Sequence, residues 1–256
     1  MLKFKSINYL FIGLFLLLSL LVFRYSWPIY TYLILGAFWF GITIWGATNV
    51  RTNYFFEALH QKKTTQKKVA LTFDDGPNTQ TEAILQLLAK HNVKATFFCI
   101  GHKIDENPQL FKKIIEAGHS VGNHTYSHPK NFGFLSSKTV QREIESCDRA
   151  AFSHGNIRLN MFRVPFGVSN PKVKKALKKT KHTPIGWSLR SFDALFSSEK
   201  YILKRLTKNI KPGKIILLHD SKPHTVRILA ELLLFLENND YTCESVDKLL
   251  KINAYK

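Results

Sequence analysis

Residues 69–80 read VALTFDDGPNTQ: an apolar run stops at two adjacent carboxylates, then a Gly-Pro, then polar residues. A short apolar run bounded by turn residues has the pattern of a strand buried on both faces. Asp74 and Asp75 repel each other, and such a pair is tolerable only where positive charge sits close by. The fold and the function both turn on what that charge is and on what each carboxylate does with it.

Outward from this stretch the chain alternates apolar runs with helical periods. Further runs occur at 95–100, 119–123, 161–165, 183–188, 214–218 and 241–246. Helix-like stretches lie between them at 81–91, 108–119, 138–152, 171–180, 199–210 and 225–238, the second of them ending near Gly118. Strand, helix, strand in repetition implies a parallel sheet with crossover helices. Seven such units imply an incomplete (β/α)7-type barrel, with an open doubly wound sheet as the alternative. In both, ligands gather at the carboxyl ends of the strands.

Those ends carry Asp74 and Asp75, His124 and His128 in NHTYSH, Arg163 in FRVPFG, and His219 and Asp220 in LLHD. A lone His or Arg of this kind is usually structural, but these fall on one rim. His124 and His128, four apart, share a face if they begin a helix, and a carboxylate from the first strand completes a two-His, one-carboxylate metal set. Three protein ligands leave room for water. One Asp then binds the cation, and its neighbour is held as an ionised base.

The first fifty residues hold no Asp or Glu. Residues 7–23 and 29–47 are uncharged stretches of 17 and 19 residues, each close to the ~20 needed to cross a bilayer, with Trp and Tyr suited to its interfaces. They are expected to form a transmembrane hairpin; a cleaved signal peptide or buried core helices are the alternatives. Lys3 and Lys5 precede it and Arg51, Lys62, Lys63, Lys67 and Lys68 follow, so the charge rule tips the rest of the chain toward the cytoplasmic face. From residue 51 onward 34 Lys and Arg face 18 Asp and Glu, which suits anionic lipid or an anionic substrate. No nucleic-acid module is present, and KVKKALKKTK (172–181) reads as a solvated helix face. Three cysteines without CxxC spacing imply neither a disulfide framework nor a zinc knuckle, and Cys99 reads as core.

TFDDGP, HTYSH, RVPFG and LLHD, in this order and spacing, resemble the motifs of the polysaccharide deacetylases of carbohydrate esterase family 4, the NodB-homology domain. The resemblance covers roughly residues 67–250. It implies an α/β fold, a distorted (β/α)7-type barrel, preceded here by the N-terminal transmembrane helical hairpin. On this reading 1–50 are two transmembrane helices, 51–66 a basic linker and 67–256 the deacetylase domain. The resemblance further implies Asp74 as catalytic base, Arg163 as the arginine that orients it, and His219 as general acid. Asp75, His124 and His128 become the ligands of one divalent metal ion, Zn2+ being favoured and Co2+, Ni2+ or Mn2+ also fitting the set. Phe166, through its backbone N–H, Trp187 and Arg190 fall where the oxyanion and substrate are bound.

GWSLRSFDAL (186–195) departs from the family's Asp-x-x-Asp-Trp run: Arg190 stands where the first Asp would be, Asp193 is kept, and Ala194 replaces the Trp. Arg190 is expected either at the cleft mouth, holding an anionic substrate group, or paired with Asp193. The activity so implied is a membrane-anchored, metal-dependent deacetylase acting on the N-acetyl amide of an amino sugar in a cell-envelope saccharide or peptidoglycan. Deacylation of a lipid-linked sugar, and an inactive carbohydrate-binding protein on the same fold, are the rivals. Implied partners are the N-acetylated saccharide and the lipids around the hairpin, with no nucleic acid and no protein partner.

Overall fold

A computed structural model describes residues 3–256. Its core is one sheet of eight parallel strands: β1 (Lys68–Gly76), β2 (Thr96–Cys99), β3 (Ser120–Asn123), β4 (Met161–Phe162), β5 (Thr183–Pro184), β6 (Leu189–Arg190), β7 (Ile215–His219) and β8 (Thr242–Glu244). The order is β5-β4-β3-β2-β1-β7-β6. β1 is central, its Val69, Leu71 and Phe73 fully buried. β8 and β2 share one side of it in succession, β8 taking Lys68–Ala70 and β2 taking Thr72–Gly76.

Crossover helices follow the strands: α3 (Thr81–Lys90), α4 (Gly101–Glu106), α5 (Pro108–Glu116), α6 (Ser137–Gly155), α7 (Pro171–Thr180), α8 (Glu199–Asn209) and α9 (Pro223–Asn238), with α10 (Val246–Leu250) near the C-terminus. Their starts are written locally. Ser136, Asn170 and Ser198 each accept a hydrogen bond from a backbone N–H in the first turn, satisfying donors that the helix itself leaves unpaired. Gly118, with φ 76°, supplies the left-handed residue just after α5.

The curled sheet does not close on itself, and β5 and β6 are its edges. A segment expected as a basic linker lies across the gap. Leu59 N–H donates to Pro184 O (2.9 Å), Gly186 N–H to Leu59 O (2.8 Å) and Lys62 N–H to Gly213 O (2.8 Å), so residues 59–62 bridge the β5 side to the start of β7. The Asn53 side chain accepts from Ala58 N–H (2.9 Å), and Tyr54 and Ala58 are buried. Residues 51–66 therefore include part of the folded body; basic composition marked the segment's surface and hid its backbone pairing.

Ahead of this segment stand α1 (Phe4–Tyr25) and α2 (Thr31–Thr48), two helices long and apolar enough to cross a membrane. At 22 and 18 residues they span roughly 33 and 27 Å, against a hydrocarbon core of about 30 Å. Apolar side chains are exposed around both, including Leu10, Leu16, Phe23, Leu33 and Phe38. Trp39 Nε1 donates to Asn8 Oδ1 (2.9 Å) and Tyr32 OH to Ser19 Oγ (3.1 Å), which joins the pair by polar contacts that apolar surroundings do not weaken.

The hairpin is docked, with no slack between it and the barrel. Phe4 N–H donates to Tyr54 O (2.9 Å), while Ser169 donates its N–H to Ala47 O (2.7 Å) and its hydroxyl to Gly46 O (3.2 Å). Gly46 lies so close to the Tyr54 ring that a Cβ there would overlap it.

Candidate active site

The rim at the carboxyl ends of β1, β3, β4 and β7 gathers the charged side chains singled out in the sequence. In a regular strand Asp74 and Asp75 would point to opposite faces. Here the β1–β2 register slips between Asp74 and Gly76, and Asp75 takes φ 74°. This bulge lets consecutive carboxylates serve one site, a conformation Asp tolerates better than most residues.

Asp74 is 3 % exposed and Arg163 is fully buried. Arg163 Nη1 donates to Asp74 Oδ1 and to Thr72 Oγ1, both at 2.7 Å, and Nη2 to Gly186 O at 3.0 Å. The guanidinium carbon also sits 4.0 Å from the centre of the Phe98 ring, a favourable cation–π placement. Removing either partner would strand a buried charge at a cost of about 3–5 kcal/mol. For Asp74, Arg163 is the positive charge the sequence demanded.

Asp75 faces the two histidines, the nearer of which, His124, also has its Nε2 3.8 Å from Asp74 Oδ2. Asp75 Oδ1 lies 3.6 Å from His124 Nε2 and 3.8 Å from His128 Nε2, and Lys103 Nζ donates to its carbonyl oxygen at 2.6 Å. Burial alone would raise the Asp75 pKa, but His124, His219, His128 and Lys103 together hold it below the ordinary carboxylate value. The three side chains offer ligand atoms within 4.8 Å of one another. His124 Nδ1 lies 2.8 Å from Arg163 O, so that nitrogen donates its proton to the carbonyl and Nε2 is the ring nitrogen turned toward Asp75. Burial and the neighbouring His124 push the His128 pKa down to about 4, leaving a neutral imidazole, as metal binding requires. Tetrahedral ligands about 2.1 Å from a zinc ion stand about 3.4 Å apart, close to the separations found, so the donor set fits a divalent cation.

The two histidines do not begin a helix. Residues 124–128 form a bent loop in which Thr125 and His128 both have positive φ. Asn123 Oδ1 accepts from Thr125 N–H (2.9 Å), and Glu143 on α6 accepts from the N–H groups of Tyr126 (3.1 Å) and Ser127 (2.8 Å). The rings still meet, 4.7 Å between centroids. Spacing picked out two rings that the structure does bring together, but on a loop and not a helix, because side-chain caps from outside the motif hold that loop.

His219 is the register partner of Asp74 on the adjacent strand. Its Nδ1 lies 2.7 Å from Asp193 Oδ1, and its N–H donates to Asp193 Oδ2 at 2.8 Å. Ser191 and Thr225 hydroxyls complete four donors on that carboxylate. Burial would lower the His219 pKa, but the hydrogen bond and charge of Asp193, with Asp74 and Asp75 behind it, raise it above the ordinary imidazole value. Asp193 is thus the orienting partner that the sequence reading noted as retained without giving it a role. Asp220 turns away from the cleft, bonded by Thr81 and Asn78 beneath Gly76, and burial pushes its pKa up to about 7.

Phe166 has φ 59°, is half exposed, and sets its ring 4.8 Å from that of His128. The Trp187 ring packs on Gly167, whose φ is 71°. Arg190 has no ion pair with Asp193 among the described residues; its guanidinium carbon lies 5.9 Å from the Trp187 ring and 5.1 Å from that of Phe192, and its buried Nε has no partner.

With this geometry in place, comparison with known proteins identifies the class. Residues 61–185 match the model of the polysaccharide deacetylase family. The peptidoglycan-N-acetylmuramic acid deacetylase PdaA of Bacillus subtilis is 32 % identical over 203 residues, covering 76 % of each chain. The peptidoglycan N-acetylglucosamine deacetylase Bc1960, in complex with an N-hydroxybenzamide, superposes with a TM-score of 0.72 at 27 % identity, covering 78 % of this chain and 95 % of that one. A CE4 family pseudoenzyme of Bacillus anthracis, BA3943, matches at 30 % identity with a TM-score of 0.69, covering 75 % of this chain and 68 % of that one.

The chain belongs to the polysaccharide deacetylase family, enzymes that hydrolyse carbon–nitrogen bonds other than peptide bonds. Likeness to both active members and a pseudoenzyme leaves competence to be argued from the residues on the rim.

Proposed function

We propose that the protein is a membrane-anchored, divalent-metal-dependent deacetylase that hydrolyses the N-acetyl amide of an amino sugar in a cell-envelope saccharide. The observation that carries this reading is the pairing of Asp74 with His219. They are neighbours across β1 and β7, one locked to a buried cation and the other to a buried carboxylate. A carbohydrate-binding protein has no need of a base and an acid so placed.

In the mechanism, Asp75, His124 and His128 are the residues that would hold the cation, which when bound would supply Lewis acidity to water and to the acetyl carbonyl. Arg163 holds Asp74 aimed, so that its outward oxygen accepts the proton of the attacking water. The backbone N–H of Phe166 donates to the developing oxyanion. Asp193 fixes His219 with Nδ1–H inward, so the protonated ring presents Nε2–H to the departing nitrogen, and the amine leaves neutral. Trp187 and the Phe166 ring supply apolar faces for the sugar.

The loop bearing Phe166 is tied through Ser169 to the end of the hairpin, which favours a saccharide presented at a membrane, including one still linked to lipid. Basic flanks at both ends of the hairpin favour the cytoplasmic face for the domain; an impermeant reagent reaching a cysteine placed at Lys67 in intact cells would overturn that placement. The function itself is tested with the full chain in detergent on an N-acetylglucosamine oligomer. Acetate should be released, stop with chelator and return with Zn2+. Binding of the oligomer with no acetate released under any divalent ion would leave the non-catalytic reading standing.

A further inference from the structure

Where the hairpin meets the barrel, a cavity of about 680 Å³ opens between the start of α1, residues 53–57 and one face of α7. Its charged lining is lopsided: Lys3 and Lys5 from one side, Lys174 and Lys178 from the other, with Glu57 the acid among the lining residues. All four lysines are exposed, and among the described residues none is ion-paired. The floor is apolar and aromatic, formed by Phe4, Tyr54 and Phe55. His182 at its edge is engaged with Asp148 at 3.1 Å.

Four lysines from two separate elements line one cavity with Glu57 the lone acid among its lining residues, a local excess of positive charge that attracts an anion. Their position narrows which anion. Lys3 and Lys5 flank the first turn of α1, and α2 ends against the same surface through Ala47. The cavity therefore lies level with one end of both helices, where the headgroups of a bilayer around the hairpin would stand. Lysine ammonium groups over an aromatic and aliphatic floor match a phosphate joined to acyl chains better than a free ion.

We infer that this cavity is a docking site for the headgroup of an anionic phospholipid. It holds the lysine-rich face of α7 against the membrane and so sets the tilt of the barrel. The inference rests on the reading of α1 and α2 as membrane spans, and the test separates the two. The full chain is mixed with vesicles of phosphatidylcholine alone, or of phosphatidylcholine and phosphatidylglycerol in equal parts. Flotation with neutral vesicles reads the hairpin. Native mass spectrometry of lipids retained after delipidation in detergent reads the cavity.

Wild type should float with both vesicles and retain phosphatidylglycerol over phosphatidylcholine by about tenfold. Lys174→Gln with Lys178→Gln, two exposed positions on a helix surface, should still float and should lose most of that preference. The exposed pair Lys112→Gln with Lys200→Gln, far from the cavity, should keep it. Unchanged preference in the α7 pair, equal loss in the control pair, or loss of heparin binding in the α7 pair with lipid preference intact would each overturn the inference, the last in favour of an acidic polymer. Failure to float with neutral vesicles would instead overturn the reading of the hairpin.

Discussion

His128 and His219 face one cleft from opposite sides, and the protein titrates them in opposite directions. Burial and a neighbouring imidazole push His128 down to about 4. At His219 burial acts in the same sense but is outweighed by Asp193, and the pKa rises. One imidazole is held neutral with a lone pair to offer, and the other is biased toward the form that has a proton to give. The lesson is that residue type assigns no role on this rim; the second partner does. For His128 that partner is another base, and for His219 a carboxylate with four donors.

The largest expected effect comes from separating the two halves of the rim. Asp74→Asn removes the proposed base and leaves the side chains of Asp75, His124 and His128 in place, so turnover should fall by about 10²–10⁴ while zinc content stays near one per chain. His124→Ala should lose both activity and zinc. Elemental analysis beside kcat decides it, and an empty site in Asp74→Asn would show that the two carboxylates share the cation.

A middle effect is expected at Asp193. With Asp193→Asn the imidazole loses its counter-charge, so the alkaline limb of the kcat/KM profile should move to lower pH, and activity at neutral pH should fall by about 10–100-fold. The wild-type contact stabilises the fold fully below the ordinary imidazole value and ceases to do so as pH rises through the elevated one. A profile that drops without moving would mean that Asp193 acts only in packing.

The smallest effect belongs to Arg190, which serves neither histidine. Its unpartnered Nε and its place between Trp187 and Phe192 suit an anionic group on the substrate. Arg190→Ala should raise KM for a phosphate- or carboxylate-bearing saccharide about tenfold, the loss of a charged contact of roughly 1.4 kcal/mol, and barely affect a neutral oligomer. Equal losses on both substrates would tie it to the catalytic centre.

Much of this was legible in the sequence, and the gaps have physical causes. The strand and helix periods located seven strands and six of the crossover helices, the central strands through their continuous buried runs, while α4, six residues long, went unread. β6, whose Leu189 and Arg190 pair with β7, follows directly on the run at 183–188 and ends in a charge, so it had no separate apolar signal. The bulge at Asp75 left its trace only in the paired acids, whose meaning depends on a neighbouring strand's register. Asp193 and Glu143 act by reaching across tens of residues to a histidine or to a loop backbone, contacts that no local spacing encodes. The bridging role of residues 59–62 was invisible for a similar reason, as lone backbone pairings in a polar stretch carry no apolar signature.

The hydrogen bonds from Ser169 to Ala47 and Gly46 join the α1–α2 hairpin to the loop that carries Phe166. Most tethered enzymes resemble an animal on a leash, searching a volume set by the length of the linker. This one resembles a tool bolted to a bench. Its working edge has one height and one heading relative to whatever surface holds the hairpin, so its range is set by geometry and diffusion of the domain adds nothing. On the membrane-anchored reading proposed above, sugars beyond that height would be out of range however abundant, and substrate would be selected by position before chemistry.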